Sequence, residues 1–266
     1  MNKDIIEIII PVYKSELSNF EHLSVESCFR LLKGYSIVLC KPIDLDTSKI
    51  EFSFKFSRIE CFDNSYFDSI ASYNRLMLSP LFYERFIHSK YILIFQTDAF
   101  IFYDDLGKWI SSDYDYVGAP WISKNIFSIC IPFIKMFFNK YILNKKDIIH
   151  KYERLNRVGN GGFSLRKTKT HYDICIALRE DIDRFLANQD KYLFNEDLYL
   201  SIVPQRKGFD FKTPKSTEAQ IFAWDVKAAY LYKKSGNKLP MAAHGWITPK
   251  NLPFWYPIIK SYIIKD

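Results

Sequence analysis

The chain has 266 residues and carries 37 Lys and Arg against 30 Asp and Glu, a formal charge of +7. Nearly half its residues are apolar and a quarter charged, which excludes a disordered chain and fits one large α/β domain or two small ones. The basic balance favours anionic partners, but no basic block or reader motif marks a nucleic-acid arm, so nucleic acid is not an expected partner.

Residues 5–10 read as a buried strand running into Pro11-Val12-Tyr13. A helix is expected over 16–32, then a strand over 35–40 stopped by Lys41-Pro42. Residues 52–61 are expected to hold one or two weakly patterned strands. From 66 to 78, Phe67, Ile70, Tyr73 and Met77 recur at helical spacing, and Ser79-Pro80 restarts a helix as cap and first residue. Residues 91–95 are apolar without alternation, the signature of a strand buried on both faces, and Gln96-Thr97-Asp98 follows. A carboxylate there either caps the next loop or sits where open α/β sheets bind ligands.

Asp115 to Trp121 read as a short strand and turn. Residues 122–157 form an insertion with an apolar stretch over 126–138 followed by Lys140, Lys145, Lys146, Lys151 and Arg154. This insertion is either a core-packed helical pair or an interfacial element with lysines on lipid phosphates. Gly159-Asn160-Gly161-Gly162 is a Gly-rich loop entering a strand, serving a tight turn or a close approach to a ligand. A helix is expected over 168–187. Asn195 is read as the N-cap of another, with Glu196 and Asp197 in its first turn. Those acids serve either the helix dipole or, for one of them, general-base chemistry. A short helix over 216–224 and a small apolar strand precede His244-Gly245-Trp246, and a tail over 250–266 mixes aromatics with lysines, the composition of an interfacial membrane anchor. The alternation of strands and helices predicts a single domain, 1–266, with a mostly parallel sheet flanked by helices.

Five scattered cysteines without a C-x-x-C pair fit free thiols in a reducing compartment. No signal-peptide pattern or run of ~18 apolar residues is present, so a cytoplasmic protein is expected. Asp98 and His244 are candidates to share a divalent cation, Mg²⁺ or Mn²⁺, with imidazole favouring Mn²⁺. Gln96 stands where a second acid would complete a doubly acidic metal motif, and it can still bond a ribose hydroxyl.

Taken in order, Pro11-Val12-Tyr13, Gln96-Thr97-Asp98, residues 117–121, residues 159–166, Asn195-Glu196-Asp197 and His244-Gly245-Trp246 resemble bacterial glycosyltransferases of the GT-A type, closest to a branch from capsule and O-antigen loci. The resemblance covers roughly residues 5–246. It implies a GT-A-like, Rossmann-like fold and transfer of a sugar from a nucleoside-diphosphate sugar, UDP by expectation, to a growing, lipid-linked surface glycan with inversion. It further implies that Pro11, Val12 and Tyr13 hold the nucleotide base and that Asp98 binds the metal on the diphosphate. Asn160, Gly161 and Gly162 then line the sugar pocket, Asp197 of the Glu196-Asp197 pair is the general base, and His244 completes the metal site. Gln96 departs from the pattern, since many members carry Asp there. The competing readings are a sugar nucleotidyltransferase and a non-catalytic carbohydrate-binding scaffold at the inner membrane face. The first lacks its Gly-rich, basic loop after the first strand.

Overall fold

The computed structural model describes residues 5–123, 134, 137, 153–188 and 195–265. Most of the apolar stretch over 126–138, and Lys140, Lys145, Lys146 and Lys151 after it, lie outside the described residues.

Nine strands are described: β1 (Ile6–Pro11), β2 (Ser36–Pro42), β3 (Arg58–Phe62), β4 (Tyr91–Phe95), β5 (Phe100–Ile101), β6 (Tyr116–Gly118), β7 (Phe163–Lys167), β8 (Ala223–Trp224) and β9 (Ala242–Ala243). Six build the main sheet in the order β3-β2-β1-β4-β7-β6. β1 pairs in parallel with both β2 and β4, and β2 with β3, whereas β7 runs antiparallel between β4 and β6. β5, β9 and β8 form a small second sheet.

The non-alternating apolar runs of β1 and β4 explain the layering. Ile8, Ile10, Leu93 and Phe95 feed the core on one face, with Val25, Cys28, Leu106 and Trp109 from covering helices. Ile9, Ile92 and Ile94 feed the other, with Met77, Phe82, Ile174 and Leu200. Each such isoleucine contributes roughly 1.5–3 kcal/mol by burial, which is why the sheet needs helices on both sides. A third core joins Phe100, Phe102, Trp224, Trp246, Trp255 and Ile259 around the small sheet.

The helix after β1 lies on one face and those between β3 and β4 on the other. The winding therefore reverses at the β1/β4 pair, and open α/β sheets carry their ligand crevice at the carboxyl ends of such a pair.

Several expected boundaries move. Residues 48–53 are a helix, and the strand begins only at Arg58. The alternating Phe52, Phe54 and Phe56 mimic a strand, but Phe54 and Phe56 pack on Phe29 from a non-repetitive segment while Phe52 is exposed. β2 runs on through Lys41 to end at Pro42. The helix expected from 66 starts at Ile70, because the Ser69 side chain accepts from the N–H of Ser72 and fixes the cap there. Ile70, placed by periodicity on the core face, is exposed. The helix expected over 168–187 is two helices, Thr168–Ala177 and Arg179–Leu186. Only Ser216–Ala219 of the 216–224 segment is helical. Ser79 and Pro80 do start a helix as expected. The tail forms the helix Leu252–Lys265, and its Trp255 and Ile259 are core residues, unavailable to a lipid surface. Among the described residues no helix is long and apolar enough to cross a membrane.

Candidate functional site

A cleft of about 620 Å³ opens at the carboxyl ends of β1 and β4. Pro11 and Tyr13 line it from β1, and Gln96, Thr97 and Asp98 from β4. Asn160, Gly161, Gly162, Glu196, Asp197 and His244 complete the set the sequence singled out. Val12 does not line the cleft. It is buried in the core below, its N–H bonded to the Cys40 carbonyl.

Asp98 and His244, far apart in sequence, meet with Oδ1 and Nε2 separated by 3.1 Å. Gln96 Oε1 is 3.1 Å from the same nitrogen. The other ring nitrogen, Nδ1, lies 3.2 Å from Oδ1 of Asp225. Burial alone would raise the Asp98 carboxyl, but His244, with Lys14 further off, holds it below its ordinary value. Burial would lower His244, yet the flanking carboxylates of Asp98 and Asp225 hold the imidazole well above its ordinary range.

The glycines of the loop are explained by neighbouring side chains rather than by backbone angle. A Cβ on Gly162 would lie 1.9 Å from His244 Nε2, and one on Gly161 would lie 2.1 Å from Glu196 Oε1. The close approach expected for a ligand is thus made first by the protein's own polar groups. Asn160 takes the left-handed conformation, with φ of 72°, and its Oδ1 accepts from the Gly162 N–H.

Glu196 and Asp197 diverge, as adjacent helical residues must. Glu196 accepts from Arg166 Nη2 at 2.9 Å, and Arg166 is fully buried. The guanidinium also donates to Ser164 Oγ and Tyr83 Oη, so its charge is matched and all three of its nitrogens donate. Asn195 does not cap its helix with its own side chain. Buried Asn74 supplies the cap instead: its Oδ1 accepts from the Glu196 N–H, and its Nδ2 donates to Asn195 Oδ1. Asp197 is left as a partly buried lining group. Burial first, then the Glu196 and Asp225 charges, push its carboxyl up to about 7, against the pull of the Leu198 and Gly161 N–H groups.

Glu21 also lines the cleft and escaped the sequence reading as a site residue. Its signal was Ser18-x-x-Glu21, a reciprocal capping box that fixes the start of helix Asn19–Leu31. Glu21 further accepts from Thr97 Oγ1 and pairs with Lys14 at 2.5 Å, tying the loops after β1 and β4 together. Asp225 escaped it as well, because only the β8/β9 pairing brings it to His244.

Among the described residues no cluster of three or more His, Cys, Asp or Glu side chains is arranged to hold a metal. The donor set nonetheless fits a shared cation: a carboxylate oxygen and an imidazole nitrogen converge, with an amide oxygen 3.1 Å from that nitrogen. Further ligands would come from the bound substrate.

The order of the main sheet, its antiparallel strand β7 and the cleft at the β1/β4 ends define a GT-A-like α/β fold. Mouse xyloside xylosyltransferase 1 in its apo form shares it at a TM-score of 0.50 and 12% identity, over 90% of this chain and 97% of that one. The galactosyltransferase LgtC, crystallised with donor and acceptor sugar analogues, does so at 0.52 and 14% identity, over 96% and 94%. At these identities the likeness is one of fold. No curated protein sequence matches the chain. Residues 56–244 match the family described as "Protein of unknown function (DUF5672)", and the chain belongs to that family.

Proposed function

We propose that this protein is a glycosyltransferase that moves a sugar from a nucleoside-diphosphate sugar, UDP in the first instance, to a hydroxyl of a growing glycan. The observation that carries the reading is that one cleft holds both the Asp98–His244 pair and the carboxyl of Asp197. The cleft's volume suits a substrate of nucleotide-sugar size.

In this reading the exposed ring of Tyr13, with Pro11, meets the nucleotide base, and Gln96 meets a ribose hydroxyl. Asp98 and His244 would hold Mn²⁺ or Mg²⁺. That cation, when bound, offsets the charge of the leaving group. Asn160, Gly161 and Gly162 border the sugar. Asp197 takes the proton of the acceptor hydroxyl while the acceptor oxygen bonds to the anomeric carbon and the carbon–phosphate oxygen bond breaks. The nucleoside diphosphate leaves with that bond's electron pair. A proton affinity near neutrality suits a general base. One base working against one leaving group implies inversion. Glu196, locked to Arg166, positions the helix start that carries Asp197.

The acceptor we favour is a lipid-linked glycan of the capsule or O-antigen kind, met at the inner face of the cytoplasmic membrane by a cytoplasmic, peripherally bound enzyme. The net positive charge and the exposed Tyr256, Ile263 and Ile264 of the tail helix support that placement. The test is a screen of nucleotide sugars by thermal shift and slow hydrolysis, with and without Mn²⁺. Stabilisation and turnover by one nucleoside-diphosphate sugar are expected. Binding of nucleotide sugars without any turnover would favour a carbohydrate-binding scaffold.

A further inference from the structure

We propose that Asp225 is a positioning residue for the cation site: it holds the His244 imidazole so that Nε2 is presented to the cation shared with Asp98. The inference rests on the functional reading above. Its geometry comes from the small sheet. β8 and β9 pair in parallel with Ala223 opposite Ala242 and Trp224 opposite Ala243. One step further in the same register sets Asp225 beside His244, and the His244 N–H donates to the Trp224 carbonyl at 2.9 Å.

Both ring nitrogens face acceptor oxygens, Nδ1 that of Asp225 at 3.2 Å and Nε2 that of Asp98 at 3.1 Å, so each donates. A cation on Nε2 would displace the proton there, while the Asp225 carboxylate, which only accepts, keeps the proton on Nδ1. Nε2 then remains the nitrogen that faces Asp98 and Gln96. Asp98 and Gln96 line the cleft with His244, whereas Asp225 does not. The two carboxylates hold opposite nitrogens of one ring, so Asp225 cannot share the ligand position of Asp98.

The surroundings hold Asp225 in place. Gly245 takes the left-handed conformation, with φ of 61°, and a Cβ there would come within 3.4 Å of Asp225 Oδ1. Asn251 Nδ2 donates to the Gly245 carbonyl at 2.9 Å and reaches the Asp225 carbonyl at 3.5 Å. A carboxylate on the distal nitrogen of a metal-binding histidine fixes the ring's orientation and raises its basicity as a ligand. Its loss typically costs about 10- to 100-fold in metal affinity.

The experiment is a double-mutant cycle in Mn²⁺ affinity, read by electron paramagnetic resonance with and without UDP, on the wild type, Asp225→Ala, His244→Ala and the double variant. Asp225→Asn is carried in parallel, and thermal melts confirm that each variant is folded. The expected result is a loss of about 10- to 100-fold for Asp225→Ala, a smaller loss for Asp225→Asn, and no further loss from Asp225→Ala once His244 is gone. If Asp225→Ala does not fold, Asp225→Asn carries the cycle. A wild type that binds Mn²⁺ with an Asp225→Ala variant that binds it equally well overturns this inference and leaves the functional reading standing. An equal loss in the His244→Ala background also overturns it, since Asp225 would then act on the cation independently. A wild type that binds UDP but no Mn²⁺ overturns both this inference and the metal part of the functional reading.

Discussion

Gly162 and His244 occupy one space: the Cβ that Gly162 lacks would stand 1.9 Å from the histidine Nε2. The loop glycine and the late histidine are therefore one structural unit, although more than 80 residues separate them. His244 is clamped by Asp98 and Asp225 and has little room to yield. Gly162→Ala should therefore displace the His244 ring, weakening Mn²⁺-dependent donor binding as a His244 variant does and costing about 1–3 kcal/mol of stability by overpacking. Calorimetric titration of UDP with and without Mn²⁺ measures this. Unchanged titrations would show that the loop adjusts freely.

Asp98→Ala should abolish transfer and remove any stabilisation that UDP gains from Mn²⁺. The fold should survive, because Asp98 is only partly buried and contributes little packing. His244→Ala should weaken the same binding less completely, since substrate oxygens remain as ligands. Thermal shift with the two variants separates these outcomes.

Asp197→Asn should keep donor binding and lose about 10²-fold or more in turnover. In the wild type the activity should rise with pH through about 7, where the Asp197 carboxyl loses its proton. Its folded-state proton affinity lies above the ordinary 3.8, so the folded protein keeps a proton that the unfolded chain has released. That contribution to stability is fully present below about pH 4 and is lost as pH rises through about 7. Asp197→Asn should therefore melt higher than wild type at pH 8 by more than at pH 5. Glu196→Gln removes one of the charges that raise Asp197, so its activity profile should shift to lower pH. A profile that does not move would detach Glu196 from the base.

Arg166→Met should be among the most destabilising single changes, by about 3–5 kcal/mol, because it strands the buried Glu196 carboxylate. Denaturant unfolding measures it. A loss near zero would mean that water reaches Glu196 and that the pair does not brace the helix start.

In the tail, Trp255→Ala should cost about 3–5 kcal/mol as a core truncation. Replacing exposed Tyr256, Ile263 and Ile264 with Ser should leave stability nearly unchanged but reduce sedimentation with anionic vesicles at low salt. Equal vesicle binding by that triple variant would remove the tail from any membrane contact.

What could be read in the sequence follows the range of the forces involved. β1 and β4 were legible because burial on both faces leaves an uninterrupted apolar run. Asp98 at the end of β4 followed from the same logic of strand ends, whereas the Gly-rich loop, which leads into the antiparallel β7, was brought to the site by the family resemblance. Phe52, Phe54 and Phe56 misled, because their period matches a strand while Phe54 and Phe56 pack on Phe29 from irregular backbone. Asn195 looked like a self-sufficient cap, but its helix is capped from Asn74, a contact across 122 positions that no local pattern encodes. Asp225 was invisible for the same reason: its role depends on strand register. Glu21 could have been noticed from its capping box, though not its bond to Thr97. The tail's aromatics and lysines matched an interfacial anchor in composition, yet composition does not say that Trp255 and Ile259 turn inward.

The central claim is that one cleft combines donor binding through Asp98 with proton abstraction by Asp197. The most direct test is to follow a nucleoside-diphosphate sugar accepted by the wild type, measuring Mn²⁺-dependent UDP binding and turnover side by side for Asp98→Ala and Asp197→Asn, with the product's anomeric configuration read by NMR. The account predicts that Asp98→Ala loses both binding and turnover, that Asp197→Asn keeps binding and loses turnover, and that the wild-type product is inverted. Near-normal turnover in either variant, or a product of retained configuration, would contradict it.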